Sequence, residues 1–349
     1  MGLQSGQGEN VRAILEIQKQ LLPDLMEQLK KRYTVLHHIH VSRVVGRRTL
    51  ATSLNMTERV LRGEVEFLKS QGLLEVESFG MSVSESGVRL LEQLEPMIRE
   101  LFGLSELEEQ IRKAFKVKQV TVVPGDSDTS PSAKKELGRA GASALRKLVQ
   151  EASVIAVTGG STMAEVANHV QPSASLKASL FVPARGGLGE GVELQANTIA
   201  SIMAKKSGGQ YRLLHVPDHL GEEAYLSLIQ DPNIQEILSV IRRTQIVVHG
   251  IGEAMAMAKR RKLDAETVSR LRQDGALAEA YGYYFDKQGN VIHKMTTAGL
   301  RLEDLENTRV IAVAGGKSKG ESIAAVLKYG REQVLVTDEA AARETLKYI

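Results

Sequence analysis

The sequence predicts a two-part chain: a winged helix-turn-helix, then an α/β domain with a mostly parallel, Rossmann-like sheet. Three observations carry this. Two helical patterns joined by a short turn, followed by a hairpin pattern, lie within the first ninety or so residues. From Gln119 onward, β-rich runs alternate with helical stretches. Two of those strand ends repeat one glycine-rich sequence. The length of 349 residues fits about two domains with a sizeable core. With 42% apolar and 25% charged residues, the chain is not a disordered chain, a collagen or a coiled-coil rod. Without cysteine, disulfides and thiolate zinc sites are excluded. No window approaches the roughly 18 apolar residues of a membrane span. Residues 1–10 are Gly/Gln-rich and lack an apolar signal core. A cytoplasmic location is expected.

The N-terminal elements follow in order. Leu21, Leu22, Leu25, Leu29, Val35, Leu36 and Ile39 have helical spacing within Glu16–His40, with Pro23 at a first turn or a break. Leu50 and Leu54 share one helix face. Asn55-Met56-Thr57 forms a turn, and Thr57 is a good N-cap. A second helix runs from Glu58 to about Ser70, with Leu61, Val65 and Leu68 inward and Arg59, Arg62, Glu66 and Lys69 on the opposite face. Gly72 ends it. Leu73–Val76 and Met81–Val83, with a tip at Ser78-Phe79-Gly80, read as a hairpin in the place of a wing.

Charge supports a DNA-binding role for this part. Between Gln28 and Gly72, nine basic residues face three acidic ones. From Leu73 to Gln110 the balance reverses, with two basic and nine acidic residues. Arg47, Arg48, Thr57, Arg59, Arg62 and Lys69 are the expected DNA-binding residues. The basic face of the second helix would lie in a major groove, with Arg47 and Arg48 on the backbone. The plainer alternatives are solvated helix faces and a protein-contact module. Val88–Phe115 reads as helical, interrupted by Pro96 and Gly103: a connecting helix, or simply one packed on a core. The expected domains are residues 1–87, a connecting helix at 88–116, and 117–349.

In the α/β part, strands are expected at Gln119–Val123, Val154–Val157, Leu180–Val182, Tyr211–His215, Gln245–Val248, Val310–Val313 and Gln333–Val336. Helices are expected at Ala133–Gln150, Met163–Val170, Glu193–Lys206 and Ser322–Lys328, and an inserted hairpin at Tyr281–Asp286 and Asn290–Lys294. Ile155–Glu165 aligns without gaps on Ile311–Glu321, identical at six of eleven positions. Each copy is strand, Gly-Gly, hydroxyl residue, helix. Thr162 with Glu165, and Ser318 with Glu321, fit capping boxes. The same turns also offer backbone N–H groups to an anion, and two of them suit a ligand with two phosphates. Gly316-Lys317-Ser318 fails the P-loop spacing, and Gly186–Gly191 fails the dinucleotide spacing. Arg185 sits at a strand end, within reach of a phosphate or on a flexible loop. His249 is read as structural more readily than as a base. His215 and His219 lack further ligands for a metal site.

In this order, Thr-Gly-Gly-Ser-Thr, Pro-Ala-Arg-Gly-Gly-Leu-Gly-Glu, His-Gly-Ile-Gly-Glu-Ala, Tyr-Gly-Tyr-Tyr-Phe and Ala-Gly-Gly-Lys-Ser-Lys resemble the SorC-type bacterial transcription regulators, from about Gln18 to the end. Within them, the chain is similar to the branch that governs genes of the lower half of glycolysis. The resemblance implies a C-terminal sugar-phosphate-binding domain, isomerase/deaminase-like in fold. It further implies a repressor of operator DNA released by fructose 1,6-bisphosphate, a dimer or tetramer, and no cofactor. Carried over by residue, it places Gly160, Ser161, Thr162, Arg185, Gln195, Arg260, Glu279 and Lys319 at the effector. The alternative is a sugar-phosphate isomerase or deaminase with an appended DNA-binding module. For that, Glu253, Asp218 and Glu279 are possible acids or bases, though no spacing marks a catalytic pair.

Overall fold

The computed structural model describes residues 17–18, 20–54, 56–187, 191–217 and 221–349. It divides into two compact units. One runs to Glu106 and includes Ser130–Ser132; the other comprises Leu107–Thr129 and Ala133–Ile349.

The first unit is a winged helix-turn-helix. Helix α1 spans Pro23–Ser42, with Pro23 at its first turn, where a missing N–H costs nothing. The short α2, Arg47–Ser53, precedes α3, Glu58–Ser70. The Thr57 hydroxyl accepts the Val60 N–H at 3.3 Å and starts α3. Gly72, with φ of 71°, turns the chain out after it. Strands β1 (Leu74–Glu77) and β2 (Gly80–Val83) pair antiparallel, leaving a two-residue tip at Ser78-Phe79. Val45 adds a bridge to Met81, a third short rung beside the wing. Leu36, Ile39, Leu50, Leu61, Val65, Leu74 and Met81 form one core.

The stretch expected as one connecting helix is two helices. Helix α4 (Glu85–Leu101) absorbs Pro96 without ending, and Gly103, with φ of 68°, separates it from α5 (Leu104–Phe115). Leu91, Ile98 and Leu101 of α4 belong to the winged-helix core.

Glu64, one of the three acidic residues between Gln28 and Gly72, is buried in α3. Its carboxylate takes Lys31 Nζ at 2.7 Å, Arg32 Nε at 3.2 Å and both-oxygen contacts from Gln28 Nε2 at 3.0 Å. Lys31 and Arg32 are thereby spent on the fold. Burial alone would push the Glu64 carboxyl up, but Lys31, Gln28 and Arg32 outweigh it and hold it below the usual value. A carboxylate with a lowered folded pKa stabilises above about pH 4.5, and that stability is lost as pH falls through the folded value. Glu64→Gln is therefore expected to lower stability at pH 7 by about 1–3 kcal/mol. It should also flatten the fall in unfolding free energy between pH 5 and 3, measured by denaturant titration. An unchanged slope would refute the assignment.

The second unit is built on seven parallel strands: β3 Gln119–Val123, β4 Val154–Val157, β5 Leu180–Pro183, β6 Gln210–Tyr211, β7 Ile246–His249, β12 Arg309–Val313 and β13 Val334–Asp338. Their spatial order is β3-β13-β12-β7-β4-β5-β6. The central strands are apolar along their length because helices cover both faces of such a sheet. Helices α6 (Pro131–Leu148), α7 (Ser161–His169) and α9 (Ala196–Ser207) bury Leu137, Leu145, Met163, Val166, Ile199 and Met203 in one cluster with Ile155, Phe181, Ile246 and Ile311; α8 (Ala174–Lys177) is a single turn between α7 and β5. After β6 come α10 (Glu222–Leu228) and α11 (Pro232–Arg242). Of the expected strand Tyr211–His215, only Tyr211 lies in β6. The Asn197 amide takes both backbone groups of Leu214 at 3.0 Å, so no strand partner is needed there.

The inserted hairpin is larger than expected. Strands β8 (Gly252–Glu253), β9 (Ala278–Ala280), β10 (Tyr283–Phe285) and β11 (Val291–Lys294) form a four-stranded antiparallel sheet, accompanied by α12 (Ala254–Arg260) and α13 (Ala265–Gln273). After β12, α14 (Gly320–Tyr329) and α15 (Glu339–Thr345) flank β13.

Candidate functional site

In the winged-helix unit, Arg47 and Arg48 open α2, and Arg59, Arg62 and Lys69 lie on α3; all five are exposed. Arg62 Nε pairs with Glu66 at 2.9 Å, and Arg48 Nε lies 3.9 Å from Glu58. Both pairs are solvent-exposed, and such pairs exchange readily for another anion. Thr57 is exposed but engaged as the N-cap.

In the second unit, chain order β4-β5-β6 runs outward to one side, and β7-β12-β13 to the other. The reversal falls between β4 and β7, the position where open parallel sheets hold ligands at strand carboxyl ends. A cavity of about 320 Å³ lies there. All eight residues expected at the effector line it: Gly160, Ser161, Thr162, Arg185, Gln195, Arg260, Glu279 and Lys319.

One wall is the turn after β4. Gly159 packs so closely that a Cβ would come within 2.7 Å of the Leu194 carbonyl. Gly160, with φ of 118°, starts α7, and the first intrahelical bond is Ala164 N–H to its carbonyl at 2.9 Å. The capping box expected from Thr162 and Glu165 does not form: the N-cap is Gly160, with no side-chain cap. Thr162 lies inside the helix, two residues past the N-cap. The first-turn N–H groups of α7 therefore face the cavity end, with the positive end of the helix dipole behind them.

The second glycine turn is different, and the expectation of a matching anion cradle is corrected. Asp338 Oδ2 takes Gly316 N–H at 2.7 Å and Ser127 N–H at 2.9 Å. Asp126 takes Lys317 N–H at 3.2 Å, and Asp128 takes Ser318 N–H at 2.8 Å. Carboxylates of the chain itself fill this turn. Ser318 makes no capping box with Glu321 either: Lys317–Lys319 form a 3-10 turn and α14 begins at Gly320. Six identities in eleven positions describe the backbone turn; the Asp residues that occupy one copy lie far away in sequence. Lys319 still reaches the cavity. Burial holds its ammonium below the usual lysine value, Asp128 and Asp338 partly opposing, Lys134 and Arg260 adding to the depression.

The opposite wall comes from the insertion. Glu279 Oε1 accepts from Arg185 Nη1 at 3.2 Å, Arg261 Nη2 at 2.9 Å and Gly282 N–H at 2.6 Å. One buried carboxylate thus orients two guanidiniums along the cavity edge. Arg261 was not anticipated; the run Lys259-Arg260-Arg261-Lys262 at a helix end was its signal. Tyr281 and Gly282, at φ of 56° and 83°, make the two-residue turn between β9 and β10, the geometry of a type I′ turn. Arg185 lies against Gly282, where a Cβ would stand 2.3 Å from Nη1. Gly282→Ala is expected to keep the fold at a cost of about 1–2 kcal/mol for the left-handed backbone, while displacing Arg185 and weakening anion binding more than tenfold. Thermal unfolding with and without a sugar phosphate separates the two effects; equal binding in variant and parent would contradict it.

The cavity is therefore lined by Arg185, Arg260, Arg261 and Lys319 against two carboxylates. Glu253 caps α12 through Met255 and Ala256 N–H, and Glu279 is held as described. Two of the three possible acid–base residues thus have structural duties. Asp218, His219, residues 1–16, Asn55 and 188–190 lie outside the described residues. Among the described residues no cluster of His, Cys, Asp or Glu is arranged to hold a metal, and no helix is long and apolar enough to cross a membrane.

Comparison with known proteins agrees with both halves. Residues 28–98 match the family described as "CggR N-terminal DNA binding domain", and residues 99–347 the family described as "Putative sugar-binding domain". The chain is 48% identical over 339 residues to the central glycolytic genes regulator of Priestia megaterium, covering 97% of this chain and 99% of that protein. It belongs to the central glycolytic genes regulator family. The Bacillus subtilis member is 45% identical over 335 residues, covering 96% and 98% of the two chains. A crystal structure described as "the putative SorC family transcriptional regulator from Enterococcus faecalis" is 42% identical, with a TM-score of 0.65 over 69% of this chain and 99% of that one. As a member of the family, the chain is a transcription regulator with a DNA-binding and a sugar-binding domain, not an enzyme.

Proposed function

We propose that this regulator represses genes of central glycolysis by binding operator DNA, and that a sugar phosphate, fructose 1,6-bisphosphate, releases it. The observation that carries the reading is the cavity at the strand-order reversal. An uncapped helix N-terminus, two oriented arginines, Arg260 and Lys319 converge on a space of about 320 Å³. That combination complements phosphate oxygens, which accept from backbone N–H groups and bidentate arginine forks. The relatives' names supply the gene class.

In this reading, Ser161 and Thr162 with the α7 N-terminus hold one phosphate. Arg185, Arg260 and Lys319 hold the other charges, and Gln195 and Glu279 meet sugar hydroxyls. The filled second glycine turn leaves the second phosphate to these side chains. Residues 117–349 bind effector and oligomerise, 88–116 connect, and 1–87 bind DNA. A dimer or tetramer in the cytoplasm places two α3 helices on operator half-sites. Arg59, Arg62 and Lys69 serve the groove, Arg47 and Arg48 the phosphates, and Thr57 fixes the start of α3 against the backbone. The effector binds the DNA-incompetent arrangement better and shifts the population toward it. The test is thermal unfolding with fructose 1,6-bisphosphate beside fructose 6-phosphate and glucose 6-phosphate. Selective stabilisation by the bisphosphate supports the reading. Stabilisation by a monophosphate alone would discard the glycolytic assignment.

A further inference from the structure

Next to the cavity lies a buried polar group that the reading above does not use. His249 ends β7 and is fully buried; Glu332, just before β13, and Tyr281 are 5% and 3% exposed. His249 Nε2 stands 3.6 Å from Glu332 Oε1, and the imidazole packs against the Tyr281 ring at a tilt of 37°, with centroids 4.2 Å apart. His249 Nδ1 lies 3.0 Å from the Gly250 carbonyl, so that nitrogen carries the proton and donates. Nε2 is left as an acceptor facing a carboxyl group.

We propose that Glu332 keeps its proton beside the unprotonated His249 Nε2, and that this neutral pair positions the effector site through Tyr281. The chain of contacts is continuous. His249 supports the Tyr281 ring, and Tyr281 lines the cavity in a left-handed conformation that a bulky residue holds only when its surroundings enforce it. The next residue, Gly282, donates to Glu279, the carboxylate shared by Arg185 and Arg261. Glu332 and His249 are positioning residues; neither lines the cavity.

The electrostatics agree. Burial pushes the Glu332 carboxyl up to about 7 and the His249 imidazole down to about 3, and burial with Glu332 nearby raises the Tyr281 phenol well above its usual value. The titratable and charged groups facing Glu332 are His249, Tyr281 and Arg331, and those facing His249 are Glu332 and Tyr281. Ionisation of Glu332 as pH rises through about 7 places a charge beneath Tyr281 and disturbs the arginine pair.

The inference rests on the sugar-phosphate reading, and its test separates the two. Affinity of the full chain for fructose 1,6-bisphosphate is measured by calorimetry from pH 7 to 9, where the ligand phosphates are already ionised. The parent is expected to lose at least threefold more affinity across that range than Glu332→Gln, which stays neutral; any loss from Lys319 deprotonation is common to both. Carbon-13 spectra of the unliganded parent should show one glutamate carboxyl titrating near pH 7, absent from the variant. Parallel affinity profiles, or a Glu332 carboxyl titrating in the ordinary range of about 4–5, would overturn the proposal. If neither protein binds any sugar phosphate, the functional reading fails and the carboxyl titration alone decides whether Glu332 keeps its proton. If the variant does not fold, that titration in the parent decides it as well.

Discussion

Arg185→Ala is expected to remove most of the stabilisation that a sugar phosphate confers. A ligand at 100 times its Kd adds about 2.7 kcal/mol. For a domain of this size that corresponds to roughly 5–10 °C in Tm. Arg185 is buried at a strand end and held by Glu279, so its fork is pre-organised for an anion. Its loss is expected to weaken binding about a hundredfold, the scale for truncating one partner of a buried charged contact. At the same ligand concentration the variant then gains only about 0.4 kcal/mol. The fold itself suffers less, since Glu279 keeps Arg261 and the Gly282 N–H. Full stabilisation of the variant by ligand would show that the anion sits elsewhere.

The second large effect belongs to α3. Arg59→Ala combined with Arg62→Ala is expected to weaken operator binding by about 2–6 kcal/mol, taking each arginine at roughly 1–3 kcal/mol for a base contact. Both side chains are exposed, so unfolding free energy should change little. Breaking the Arg62–Glu66 pair opposes DNA binding only slightly, since exposed i,i+4 pairs are worth about 0.3–0.5 kcal/mol. Fluorescence anisotropy with labelled operator at several salt concentrations reads the effect. Unchanged affinity would show that α3 is not the recognition helix.

Much of this was legible from local pattern. The Thr57 cap, the α3 face of Leu61, Val65 and Leu68, and the glycine stop at Gly72 all act within a few residues, and they appear where expected. The turn after β4, Arg185 and Lys319 come together because strand ends of one parallel sheet converge at the point of reversal, and the insertion brings Arg260, Arg261 and Glu279 to the same cavity. Long-range pairing was not legible. Glu64 entered the sequence only as one acid in a charge balance, because its partners are more than thirty residues away. The two glycine turns looked equivalent because Asp126, Asp128 and Asp338 lie far from Gly316 in sequence, yet fill one turn and not the other. Arg261 stood unnoticed beside Arg260, since only the fold shows that both reach the cavity. The Tyr211–His215 strand failed where a side-chain amide replaced a backbone partner.

One cavity is expected to control one DNA-binding surface. This is tested most directly by titrating fructose 1,6-bisphosphate into the complex of the full chain with its operator, for the parent and for Arg185→Ala, and following anisotropy. The parent is expected to release DNA as the ligand rises, and the variant to bind operator equally well but to stay bound until about a hundredfold more ligand is present. Release of both proteins at the same ligand concentration, or no release of the parent, would contradict it.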